Sequence, residues 1–160
     1  MKTIKDLRDQ YRASFFVQEE QLMLTDALMA IYVSSKLDGD AIWMMVVGAP
    51  SMGKTEFVNI ICKLDKVFDV STLTENTFLS SARGPAGKKN SLLHRMGARS
   101  LLIMKDFTTI LTMRPEKRDQ ILAQMREIYD GRFTKESGNG TSPSWTGKVC
   151  FVGCVTDSIY

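Results

Sequence analysis

Apolar positions along the chain change their period several times, and each change predicts a new element. Ile4, Leu7 and Tyr11 recur at helical spacing, and Thr25 is placed to cap a second helix with Leu28, Ile31 and Tyr32 on one face. Residues 1–38 therefore read as a helical preface, and residues 39–160 as a separate core. The turn Lys36 to Asp40 leads into an unbroken apolar run, Ile42 to Val47, of the type expected in a strand buried on both faces. A helix from about Lys54 to Leu64, a short strand at Val67 to Val70, a short helix near Ser91 to Met96 and a strand Leu101 to Met104 follow. Pro115 suits a first helical position, and Ile121, Leu122, Met125, Ile128 and Tyr129 give that helix an apolar face that Gly131 can end. Residues 132–147 are rich in Gly, Ser and Thr and predict an exposed loop or hairpin, and Val149 to Val155 is the last strand. Strands alternating with helices imply an α/β fold, a parallel sheet sandwiched by helices.

Between the first strand and the next helix stands Gly48-Ala49-Pro50-Ser51-Met52-Gly53-Lys54-Thr55, which satisfies G-x-x-x-x-G-K-[ST]. The glycines let backbone N–H groups turn inward around phosphate oxygens, and the helix start adds its partial positive charge. Lys54 would reach the outer phosphates, and the Thr55 hydroxyl would ligate Mg²⁺. Such a site needs an acid at the carboxyl end of another apolar strand. Asp106, just past Leu101 to Met104, meets that need, and Asp69 in the weaker strand Val67 to Val70 is its rival. An acid on the strand directly after the phosphate-loop helix would indicate the GTPase and small-molecule kinase branch. An intervening strand would indicate the ATPase branch, and Asp106 predicts the latter.

The segments GAPSMGKTEFVN, STLTENTFLS, LLIMKDFTTIL, REIYDGRFTKE and FVGCVTDS resemble P-loop ATPases encoded by phages and mobile elements, relatives of the AAA+ and RecA-like (ASCE) ATPases. The resemblance covers residues 40–160. It implies ATP and Mg²⁺ as ligands, ATP hydrolysis as the activity, a DNA-associated motor or switch as the role, and a homo-oligomer in the full-length protein. It maps a polar sensor onto Thr156 and, in the position from which RecA-like proteins supply a glutamate, Glu75. Lys54, Glu75, Asp106 and Thr156 are thus the implied catalytic set. Many AAA+ members carry a water-orienting glutamate directly after the metal-holding acid, whereas this chain has Phe107. The resemblance also implies the sheet order 5-1-4-3-2, with strand 5, an arginine finger and a helical lid downstream of Thr156, so the chain is expected to be part of a longer protein. Two alternatives stay open: a nucleotide or nucleoside kinase, and an ATP-dependent interaction module that does not hydrolyse.

Composition narrows the picture further. An apolar fraction of 44% with 24% charged residues is an ordinary globular mixture, which excludes disordered and collagenous classes. A single histidine excludes a zinc site built from several histidines, and a Ser-His-Asp triad would have to use His94. Three cysteines, with a charged amino terminus that lacks an apolar h-region, predict a cytoplasmic protein without a membrane partner. The net charge of +3 is too mild to demand an acidic partner. Even so, Arg83, Lys88, Lys89, Arg95, Arg99 and Lys105 lie in a stretch without acids before Asp106. Together with Arg132, Lys135, Trp145 and Lys148 they are candidates for a nucleic-acid path or a partner surface, against the plainer alternative of solvated loops with one residue facing nucleotide phosphate.

Overall fold

The computed structural model describes residues 3–14, 19–80, 91–136 and 142–157. Helix α1 (Ile4–Ser14) starts on a reciprocal cap: Thr3 N–H donates to Asp6 Oδ2 at 2.8 Å, and Asp6 N–H donates to Thr3 Oγ1 at 3.2 Å. Helix α2 (Glu19–Ser34) begins well before Thr25. Thr25 is therefore an interior helical residue, buried with an unpartnered hydroxyl, and not a cap. The reason is Leu22, fully buried one turn earlier, which extends the apolar stripe of Leu28 and Ile31 towards the amino terminus.

Four strands form one parallel sheet in the order β1 (Trp43–Gly48), β6 (Lys148–Thr156), β3 (Arg99–Met104), β2 (Val67–Val70). One strand, β6, thus separates β1 from β3, the strand that Asp106 follows. Strand β6 is buried from Val149 to Val155, and its side chains alternate between two layers. Cys150, Val152 and Cys154 meet α2 and α3 (Lys54–Cys62) through Leu28, Ile31, Phe57, Val58 and Ile61. Val149, Phe151 and Val155 meet the opposite layer of α4 (Leu92–Met96), α5 (Thr108–Leu111) and α6 (Pro115–Tyr129). Helix α2 therefore packs into the same core as α3.

Strand β1 departs from the expectation of burial on both faces. It is an edge of the sheet among the described residues, and Met45 and Val47 are 43% and 54% exposed. The α6 layer covers Trp43, whose ring packs edge-on against Tyr129 and whose Nε1–H donates to Val149 O at 2.9 Å, but it stops short of Met45 and Val47.

The stretch after α6 folds as an antiparallel hairpin, β4 (Arg132–Thr134) with β5 (Ser144–Thr146). Phe133 and Trp145 pair directly and are both buried. The hairpin's neck is tight: Gly131 has φ +80°, and a Cβ on Gly147 would lie 2.6 Å from Ala98 O.

Candidate phosphate-binding site

Five residues turn the chain from the end of β1 into α3. Ser51 and Gly53 both adopt left-handed backbone, with φ 63° and 73°. Glu56 and Phe57 donate their N–H groups back to Gly53 O, so the helix begins abruptly. No side chain caps it, and the N–H groups of Lys54 and Thr55 find no backbone acceptor among the described residues. The Lys54 ammonium folds back over the loop and donates to Gly48 O at 2.6 Å and Ala49 O at 2.7 Å. Thr55, Pro50, Ser51 and Met52 are exposed. The geometry is a backbone cradle of unmade donors with one cation at its rim.

Strand register arranges what lies beside that cradle. Gly48 is the direct partner of Thr156, and Met104 is the partner of Gly153. Asp106 lies in the turn just beyond β3, exposed and without an ion-pair partner among the described residues. Its rival Asp69 sits inside β2 and is held by the Lys105 ammonium. Burial pushes the Cys154 thiol beneath this edge up to about 11; Lys54 and Lys105 oppose the rise, while Cys62 and Asp106 reinforce it. Lys54, Thr156 and Asp106 therefore gather at the carboxyl ends of three adjacent strands, where parallel sheets place ligands.

Phe107 faces away from this edge. It is 3% exposed, belongs to the core, and packs against Phe151 with ring centroids 5.4 Å apart. Glu75 lies at the other flank of the sheet. Its carbonyl accepts from Gln124 Nε2 at 3.1 Å and from Lys135 Nζ at 2.8 Å, and the residue lines a hollow of about 170 Å³ with Leu73, Met113, Lys117 and Ile121. Three strand spacings, about 14 Å, separate β2 from β1. The hydrogen bonds and hollow around Glu75 involve Gln124, Lys135, Met113, Lys117 and Ile121, none of them in the Gly48–Thr55 loop.

Several basic candidates have other employment. Arg99, at the start of β3, pairs with Asp38 and donates to Lys36 O, while Lys105, past the other end of β3, pairs with Asp69. Lys135 is tied to Glu75 O, and Lys148 donates to Ser34 O and Leu37 O. Trp145 is buried, with its Nε1–H on Gly97 O at 2.8 Å, so it has no free face for a base. Arg95, Arg132 and Arg99 are exposed, but Arg83, Lys88 and Lys89 lie outside the described residues. The pairings join residues tens of positions apart, which is why the one-dimensional charge run does not form one basic track among the described residues.

Thr108 closes the run Lys105-Asp106-Phe107-Thr108 within the resembling segment LLIMKDFTTIL, where the motif gives it no role of its own. Its hydroxyl accepts the Thr156 N–H at 2.9 Å and lies 2.9 Å from Thr156 Oγ1. The only local signal was a threonine pair directly after Lys105-Asp106-Phe107. No group of three or more His, Cys, Asp or Glu able to hold a metal by itself occurs among the described residues, and no helix there is long and apolar enough to cross a membrane. No protein-family model matches the chain, and no curated protein matches it at a significant level.

Proposed function

We propose that this chain binds ATP with Mg²⁺ as a P-loop ATPase of the ASCE type, and hydrolyses it slowly as an isolated chain. The observation that carries the reading is the strand order: the G-x-x-x-x-G-K-T loop stands at the end of β1, Thr156 at the end of the neighbouring β6, and Asp106 in the turn just past the next strand, β3. The kinase alternative would put the acid on the strand directly after α3, where Asp69 sits on β2. The residues also fit the ligands. Two left-handed residues and an uncapped helix start leave N–H donors for phosphate oxygens, and Lys54 supplies a cation already at the rim. Thr55 and Asp106 offer hard oxygen donors of the kind Mg²⁺ prefers when phosphate oxygens complete its shell.

When bound, Mg·ATP supplies a phosphoanhydride whose terminal phosphoryl group can pass to water. Gly48 to Thr55 would hold the phosphates, Thr55 and Asp106 the metal, and Thr156 would stand at the phosphoryl end. Phe107 contributes nothing to orienting water, because its side chain is committed to the core. That observation also supports a second reading, an ATP-dependent interaction module that does not hydrolyse. Association with DNA and a homo-oligomer rest on the sequence resemblance.

The test is calorimetric titration of Mg·ATP into the wild type and Lys54→Ala. Most affinity should be lost in the variant while its circular dichroism is retained. Equal affinity for both proteins overturns the reading. Phosphate release by the wild type then separates slow hydrolysis from none, and Glu75→Gln reports whether Glu75 takes part despite its distance.

A further inference from the structure

The segment that follows Asp106 is stitched to β6 by bonds beyond those of the sheet. Regular pairing of β3 with β6 ends at Met104, opposite Gly153. Lys105 and Asp106 then bow outward, and the chain rejoins β6 at once, with Phe107 N–H donating to Cys154 O at 2.8 Å. Both feet of the bow thus stand on neighbouring residues of β6. One position further on, the Thr108 side chain takes the part of a backbone acceptor for Thr156 N–H and meets the Thr156 hydroxyl as well. The turn bearing the metal-holding acid and the end of β6 are one fastened unit.

We infer that Thr108 is a positioning residue that fixes the Thr156 hydroxyl and leaves its proton free for an acceptor at the sheet's carboxyl edge, a phosphoryl oxygen or the attacking water. This rests on the function proposed above. A hydroxyl has one proton and two lone pairs. Thr156 N–H fills one lone pair of Thr108 Oγ1, so the Thr108 proton can pass to Thr156 Oγ1 and leave the Thr156 proton unclaimed by the protein. In the opposite polarity Thr156 spends its proton on Thr108 and can only accept. The exchange needs no heavy atom to move, and an anion at the edge favours the first arrangement. Because Gly48 is the register partner of Thr156, that donor stands beside the first residue of the phosphate loop.

The test compares the wild type, Thr108→Val, Thr108→Ser, Thr156→Val and the double valine variant in single-turnover hydrolysis at saturating Mg·ATP, with affinities from calorimetry. Valine keeps the branched shape and removes both hydrogen bonds, while serine keeps the hydroxyl. Thr108→Val should lower the rate by about 10- to 100-fold, the worth of one hydrogen bond to a charged group, with affinity unchanged within about twofold. Thr108→Ser should restore most of the rate. The double variant should be no slower than the slower single one, because the two hydroxyls act as a unit. An unaltered rate in Thr108→Val overturns the inference, as do additive losses, or a joint loss of affinity and rate that serine does not restore. If Thr108→Val does not fold, equal rates in the wild type and Thr156→Val overturn it. A wild type that neither binds nor hydrolyses ATP overturns the proposed function itself, and the inference with it; an active wild type indifferent to Thr108→Val overturns the inference alone.

Discussion

Phe107 occupies the position where a water-orienting glutamate would be expected, and installing that glutamate tests whether the position can serve catalysis at all. The side chain is 3% exposed and packs edge-on against Phe151 at an interplanar angle of 66°. Removing such a ring costs about 3 to 5 kcal/mol, including about 1 for the aromatic pair. A carboxylate in its place adds several kcal/mol if charged, or about 1.4 kcal/mol for each unit by which its pKa must rise to stay neutral. Together these approach the whole stability of an ordinary domain, about 5 to 15 kcal/mol. Phe107→Glu should therefore fail to fold cooperatively. Phe107→Leu, which keeps most of the volume, should cost about 1 to 1.5 kcal/mol and lower Tm by about 2 to 6 °C. Urea unfolding and steady-state phosphate release decide the matter. A Phe107→Glu protein with the wild-type urea midpoint and faster phosphate release would mean that the side chain faces the nucleotide edge, and the packing argument would fall.

Asp106→Asn should weaken the Mg²⁺ dependence of ATP binding, whereas Asp69→Asn should leave it unchanged and cost at most about 1 kcal/mol through the loss of the Lys105 pair, both read by titration with and without metal. Gly153→Ala should destabilise by about 1 to 3 kcal/mol in urea. Its added Cβ would lie 2.9 Å from both Met45 Sδ and Phe151 Cε1 and 3.2 Å from Phe107 Cβ, and of these only the half-exposed methionine can yield easily. Burial raises the Cys154 thiol from its ordinary 9.0 to about 11, so the folded state favours the protonated form. Its contribution is complete below pH 9 and is lost as pH rises through 11, on the order of 2 kcal/mol. The urea midpoint should therefore fall across that window more in the wild type than in Cys154→Ala.

Local pattern carried the element types well. The tight turn between β1 and α3 was legible because Gly48, Gly53, Lys54 and Thr55 fall within eight residues bracketed by an apolar run and a helix. The helix from Pro115 and the strand ending before Asp106 were equally plain. Long-range pairing was not legible. Nothing near Lys105 announces Asp69, nothing near Arg99 announces Asp38, and nothing near Thr108 announces Thr156, because each partner arrives through the sheet. The same limit explains β1 and Trp145. An apolar run predicts a strand without saying which of its faces a helix will reach, and an aromatic among basic residues looks like a base-stacking platform until the hairpin folds it inward. In sequence Phe107 stands where the resemblance implies a glutamate; in the fold it is a core residue packed on Phe151 directly after Asp106.

The exposed side of β1 has a consequence for how the protein behaves in solution. Trp-Met-Met-Val-Val-Gly carries no charge and no proline, and a strand of that kind at a sheet edge is a template for another strand. The last residue of that strand, Gly48, opens the G-x-x-x-x-G-K-T loop. If the loop takes nucleotide as proposed, association and nucleotide occupancy become linked equilibria. Whatever factor nucleotide applies to edge pairing, edge pairing must apply to nucleotide affinity. Apparent affinity should consequently drift with protein concentration, and a lysine at exposed Val47 would uncouple the two by keeping the edge single.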